Sequence, residues 1–156
     1  MFVFPEFTKA IYTDDTTGKC LPYRLYVPED YDKAKQYPVF FFLHGAGERG
    51  DDNATHIRVL ENAYRVAGDM LGQAIVLSPQ CPADCWWDLN TQEGDENGWL
   101  GAAIRLLRTT MAQYRCDKSR GWAFHRRLCH MVGIGALRRA VCRRRADLRL
   151  GQQRHG

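Results

Sequence analysis

VFFFL at residues 39–43 is an unbroken apolar run, and AIVLSP at 74–79 is a second that ends on a proline. Runs of this length, bounded by turn residues, are the pattern of strands covered on both faces. Between them, Ile57, Leu60, Ala63, Tyr64, Ala67 and Leu71 recur at helical spacing over residues 55–71, which lays one apolar stripe along a helix. Residues 99–114, WLGAAIRLLRTTMAQY, form the best amphipathic helix of the chain. Earlier, residues 7–13 and 22–27 are rich in Tyr, Val and Leu and are separated by DDTTGK, so two strands and a turn are expected. PEDYDKAKQYP is a polar connection, and QCPADCWWDLNTQEGDENG a long loop, aromatic in its middle and polar at its end. Helical patterns alternating with fully apolar strands predict an α/β domain with a largely parallel sheet.

After about Arg120 this grammar stops. Residues 121–156 hold nine arginines, no lysine and a single acid, Asp147. Their apolar positions fit neither period, although 131–142 passes for a basic helix. The whole chain, 156 residues at 45% hydrophobic and 26% charged, is of the size and composition of one globular domain. Its charge is divided: residues 1–114 carry 10 Lys and Arg against 16 Asp and Glu, and residues 115–156 carry 12 against 2. A basic terminal segment raises the possibility of a nucleic-acid partner, but the body is acidic and no base-reading motif accompanies it, so no specific nucleic acid is expected. No apolar run is long enough to span a membrane. MFVFPEFTKA lacks the pattern of a secretory signal, which leaves a cytoplasmic chain, or a secreted one if a signal precedes it.

The exit from the first apolar run carries the chemistry. FFFL passes directly into His44-Gly45-Ala46-Gly47, and four charged residues follow within five positions: Glu48, Arg49, Asp51 and Asp52. At the carboxyl end of a central strand in an open α/β sheet, a loop borders the crevice where ligands bind. Glycines there let backbone N–H groups approach a ligand closely. Such amides, from Ala46 or a neighbouring glycine, can hold a developing oxyanion, each donor contributing ~2.7–4 kcal/mol to the transition state. The four charged residues would hold the loop in shape through ion pairs. A plain strand-to-helix turn with no catalytic part explains the loop alone equally well.

YRLYVPEDYDKAKQYPVFFFLHGAGERGDDN, then IVLSPQCP and a nearby Trp, resembles the esterase and "predicted peptidase" branch of the α/β-hydrolases. That branch lies near the phospholipase/carboxylesterases, polyhydroxybutyrate depolymerases and feruloyl esterases. The resemblance runs from about residue 20 to 120, where YRCDKSR matches the approach to the strand before the nucleophile. It implies that residues 1–120 are the N-terminal part of a three-layer sandwich with a mostly parallel sheet, incomplete at its C-terminus. It implies hydrolysis of carboxylic esters, of small molecules or polymers, by a Ser-His-Asp triad with no metal or organic cofactor. His44, Gly45, Ala46 and Gly47 would form the oxyanion loop, and Trp86 and Trp87 would line the substrate crevice or pack the long loop on the sheet.

The G-x-S-x-G elbow expected within about ten residues of Arg120 is absent from the sequence. Ser119, flanked by Lys118 and Arg120, is a turn residue by its surroundings. GWAFHRRLCHM, residues 121–131, offers an explanation: read one base later, its degenerate codons permit VGLSIGGYATW, which contains the elbow. Beyond residue 138 the shifted frame also permits FAAALPICG. A base-level insertion or deletion near codons 120–121 is therefore expected, leaving residues 121–156 out of frame, poorly ordered, and without nucleophile, acid or base. Little or no esterase activity follows, with a non-catalytic binding module or an Arg-tail nucleic-acid binder as the alternatives.

Other residues carry less. His44 orients the loop better than it serves as acid or base; His56, at a helix start, is a surface residue by expectation; His125, His130 and His155 fall in the Arg-rich segment. Cys81 and Cys85 have no second pair at zinc-ligand spacing and are expected as free thiols. EGDEN at 93–97 lacks the alternation of a calcium loop and suits a solvated segment before the helix at 99–114.

Overall fold

The computed structural model describes residues 4–71, 73–87, 97–116, 122–125 and 130–133. Strands β1 (Thr8–Thr13) and β2 (Cys20–Tyr26) form the expected hairpin, Thr8 opposite Leu25 and Thr13 opposite Cys20. The turn closes where the Asp14 amide donates to the Lys19 carbonyl at 2.8 Å, and Gly18 reverses the chain at φ +70°, a region that favours glycine. Asp14 is buried here, and Arg105 from the second helix grips its carboxylate with two bonds of 2.7 Å. The hairpin is thereby tied to a distant element.

Strand β3 (Val39–Leu43) is buried at all five positions. Its side chains alternate between the two faces of the sheet. Phe40 and Phe42 join Leu60 and Tyr64 of helix α1 (Ile57–Leu71), while Val39, Phe41 and Leu43 join Leu100, Ala103, Ile104 and Leu107 of helix α2 (Trp99–Gln113). One helix therefore covers each face, giving the three layers expected. Strand β4 (Ile75–Pro79), the second apolar run, is buried throughout as well.

The order in the sheet is β1-β2-β4-β3-β5-β6, with β5 at Trp122–His125 and β6 at His130–Gly133. β3 runs parallel to both β4 and β5, and the pairs β1–β2, β2–β4 and β5–β6 are antiparallel. The parallel part is thus the centre of a mixed sheet, because the N-terminal hairpin folds back onto β4 and β6 turns back on β5. The basic helix read over 131–142 is not what residues 131–133 adopt: they are strand, since pairing with β5 satisfies their backbone whatever their side-chain period. Residues 134–142 of that expectation lie outside the described residues, as do Ser119, His155 and residues 93–96 of EGDEN. No described helix is long and apolar enough to cross a membrane.

The connections create the crevice. From β3 the chain crosses one face through α1 to reach β4; from β4 it crosses the other face through α2 to reach β5 beyond β3. Adjacent strands whose exits leave toward opposite faces form a switch point, the place in an α/β sheet where ligands bind. Here it lies between the ends of β3 and β4, where residues 44–53 meet residues 80–87.

Candidate active site

His44, first after β3, is fully buried. Its Nε2 accepts the Cys81 amide at 2.8 Å, so the proton sits on Nδ1, which faces the Gly45 carbonyl at 2.7 Å. The Trp87 indole N–H donates to the His44 carbonyl at 3.1 Å, and the two rings lie 5.2 Å apart. Burial pushes the imidazole pKa down from its ordinary value. With both nitrogens engaged and the ring neutral, His44 is an anchor and not a proton carrier.

The chain then makes a single 3-10 turn, Ala46–Glu48. The Gly45 amide donates to Glu48 Oε2 at 2.9 Å. The amides of Ala46 and Gly47 have no hydrogen-bond partner among the described residues, both residues are exposed, and a Cβ built on Gly47 meets nothing within 4 Å. One amide of the loop is therefore spent on a carboxylate, while the next two are unpaired among the described residues.

The charged residues that follow work on backbone groups, where the sequence suggested ion pairs. Arg49 donates from Nε to the Ala46 carbonyl at 2.8 Å and from Nη1 to the Cys85 carbonyl at 3.2 Å, with its guanidinium 4.1 Å over the Trp86 ring. The Gly50 amide donates to the Cys81 carbonyl at 2.9 Å. Asp52 accepts the Ala54 and Thr55 amides at 2.9 and 3.1 Å and the Thr55 hydroxyl. That hydroxyl, and then the Gln80 amide, hold the Asp52 carboxyl well below the usual carboxylate range. Asn53, at φ +49°, donates from Nδ2 to the carbonyls of Ala10 and Tyr23 at 3.2 and 3.1 Å, reaching across the hairpin.

Trp86 and Trp87, paired in the sequence, separate in burial. Trp87 is 5% exposed and packs in the core against the His44 ring, whereas Trp86 is 52% exposed beside the loop after β3. Cys81 and Cys85 are free thiols, the first buried. His56 is the clearest departure from expectation: it is fully buried, with Nε2 donating to the Ser78 carbonyl at 3.1 Å and its ring 5.9 Å from that of His44. The segment before α1 tucks inward against the end of β4, which no local pattern announces. Burial, with the His44 ring beside it, lowers the His56 pKa to about 4. Ser78 is also fully buried, which is not the setting of a nucleophile; the other serine of the sequence, Ser119, lies outside the described residues. Gln80 and Asn53 were not singled out by sequence reasoning. The available signal was a lone amide side chain directly after a buried strand, and an asparagine closing a charged loop.

No protein-family model and no curated protein matches the chain. Solved structures do. A thermostable esterase aligns at 33% identity and a TM-score of 0.62 over 76% of this chain and 34% of its own. An acetyl xylan esterase from Aspergillus awamori aligns at 16% identity and 0.56, over 78% and 42% of the two chains. An S-formylglutathione hydrolase from Staphylococcus aureus aligns at 13% and 0.54, over 77% and 46%; at such identities the likeness is one of fold. The chain thus spans between about a third and a half of the length of these structures.

Proposed function

From a chain that carries part of an α/β-hydrolase fold of the esterase kind, we propose a carboxylic-ester hydrolase of the serine type, of which this polypeptide holds one half of the oxyanion hole and not the nucleophile. The observation that carries the reading is the pair of amides, Ala46 and Gly47, left without a partner among the described residues at exposed positions by the switch point of the sheet. When a serine attacks an ester carbonyl, the carbonyl oxygen gains negative charge. Amides already in place stabilise that charge without reorganising. His44, neutral and bonded at both nitrogens, fixes the start of the loop. Trp86, exposed and stacked on Arg49, lines the approach for the ester substrate, and Trp87 supports the loop from beneath.

The sequence contains no G-x-S-x-G, and the second oxyanion donor normally follows that serine. Without nucleophile, base and second donor, the chain has no measurable esterase turnover. We place the cause in the reading frame: residues 121–156 are translated out of frame from near codon 120, and their arginine excess reflects base composition. Two experiments test this together. Sequencing the gene across codons 115–135 is expected to show that a one-base change restores the elbow. The protein as it stands is expected to give no serine-inhibitor-sensitive hydrolysis of p-nitrophenyl acetate, and the frame-restored protein to give it. Inhibitor-sensitive turnover by the present chain, or a gene in which no shift restores the elbow, overturns the reading.

A further inference from the structure

Gln80 is the first residue after β4, fully buried, and it touches the oxyanion loop at three points. Its Nε2 donates to the Glu48 carbonyl at 3.2 Å and to Asp52 Oδ1 at 2.8 Å, and its Oε1 accepts the Asn53 amide at 2.7 Å. Its own backbone amide donates to the Pro22 carbonyl at 2.8 Å, so the residue is anchored in the sheet before it reaches out. Both donors and the acceptor of a buried amide side chain are satisfied, and all three partners lie within six consecutive residues of one loop. Gly50 makes room for this: a Cβ there would stand 3.2 Å from Gln80 Nε2, closer than ordinary contact with an atom that two bonds pin in place.

We propose that Gln80 is the positioning residue of the oxyanion loop, deciding which amides are left for a substrate. Pulling the Glu48 carbonyl toward the end of β4 closes the single 3-10 turn. The Glu48 carboxylate then folds back onto the Gly45 amide, and that bond removes Gly45 from the set of available donors. Ala46 and Gly47 are left, on adjacent exposed residues. Gln80 touches no substrate; it acts through Glu48. The inference rests on the oxyanion reading of the loop, and it explains something that reading leaves open, namely why two amides of three are free.

The test uses 15N spectra and amide hydrogen exchange of the full chain, with methylphosphonate as the anion probe. In the unaltered protein, methylphosphonate is expected to shift the Ala46 and Gly47 amides, and Gly45 to exchange roughly tenfold or more slowly than either, as a bond to a carboxylate implies. In Gln80→Ala, Gly45 is expected to lose that protection and methylphosphonate to bind several-fold more weakly. The Cys81 amide and the Trp87 indole N–H, both bonded to His44, should keep theirs. Gln80→Met keeps the length of the side chain and loses both donors and the acceptor, so it should repeat the Gly45 loss and also free the Asn53 amide; it decides the matter should Gln80→Ala not fold. Unchanged Gly45 protection and unchanged anion affinity in the folded variants overturn the role of Gln80. Absence of any shift at Ala46 and Gly47 in the unaltered protein overturns the oxyanion reading instead, whatever Gly45 does.

Discussion

Strand β3 and the loop that leaves it are held on different terms. The loop is held by named side chains: His44 on Cys81, Trp87 on His44, Arg49 on Cys85, Gln80 on Glu48 and Asp52. The strand is held in the sheet by backbone pairing, Val39 opposite Ile75 on one side and Phe40 opposite Trp122 on the other. A sheet edge accepts any strand whose amides and carbonyls fall in register, whereas a loop of fixed shape needs particular donors and acceptors at particular places. A frame change after residue 120 would therefore leave a strand beside β3 and erase the chemistry that strand should deliver. A strand's place in a sheet therefore tolerates changes of sequence that a loop wired in this way does not.

The largest expected effect sharpens the contrast at its centre. Phe41→Ala, on the fully buried middle of β3, should lower stability by ~3–5 kcal/mol in urea unfolding, the usual cost of emptying an aromatic core site. Next comes acid. His56 is neutral in the fold, with its pKa lowered to about 4, while an unfolded histidine takes a proton near ~6.5. The unfolded chain thus binds more protons in that interval, so stability is full above the unfolded value and falls as pH drops from there toward 4, by on the order of 3 kcal/mol. His56→Gln should flatten that slope; a slope unchanged by the substitution would show that the histidine is not buried as described. The depressed carboxyls of Asp14 and Asp52 carry the same sign further down, their contribution being lost below about pH 5 as the unfolded carboxylates protonate first.

Smaller effects probe the loop itself. Gly50→Ala should cost ~1–3 kcal/mol, the range for crowding a packed site, because the new methyl meets the pinned Gln80 amide; thermal unfolding measures it. Trp87→Phe removes the donor to the His44 carbonyl and should cost about 1–3 kcal/mol if that buried carbonyl is left without a partner. Smallest is Trp86→Ala, which deletes an exposed ring stacked on Arg49 and should cost roughly 0.5–1 kcal/mol, the value for exposed cation–π pairs.

Much of the scaffold was legible in advance. VFFFL and AIVLSP are the two strands buried on both faces, DDTTGK is the hairpin turn, and the stripes at 57–71 and 99–113 are the two helices, because burial on a strand or a helix face leaves a period in the side chains. The glycine-bearing loop after β3 was legible as a motif. Its wiring was not. His56 sits in the core because the segment 53–56 folds under the end of β4, a long-range packing choice with no local signature. Gln80 and Asn53 act across 27 residues or more, and a single polar side chain beside an apolar strand looks the same whether it meets water or a loop. Glu48, expected to pair with a charge, serves the Gly45 amide because a one-turn helix leaves that donor three residues away.

On the oxyanion reading proposed above, Ala46 and Gly47 present their amides to a negatively charged oxygen. A crystal of the full chain soaked in methylphosphonate is the decisive measurement. A phosphonate oxygen is expected about 2.7–3.1 Å from both nitrogens, the reach of an oxyanion donor, with Gly45 still bonded to Glu48. Amides of Ala46 and Gly47 found bonded within the protein, with the phosphonate elsewhere or absent, would contradict it.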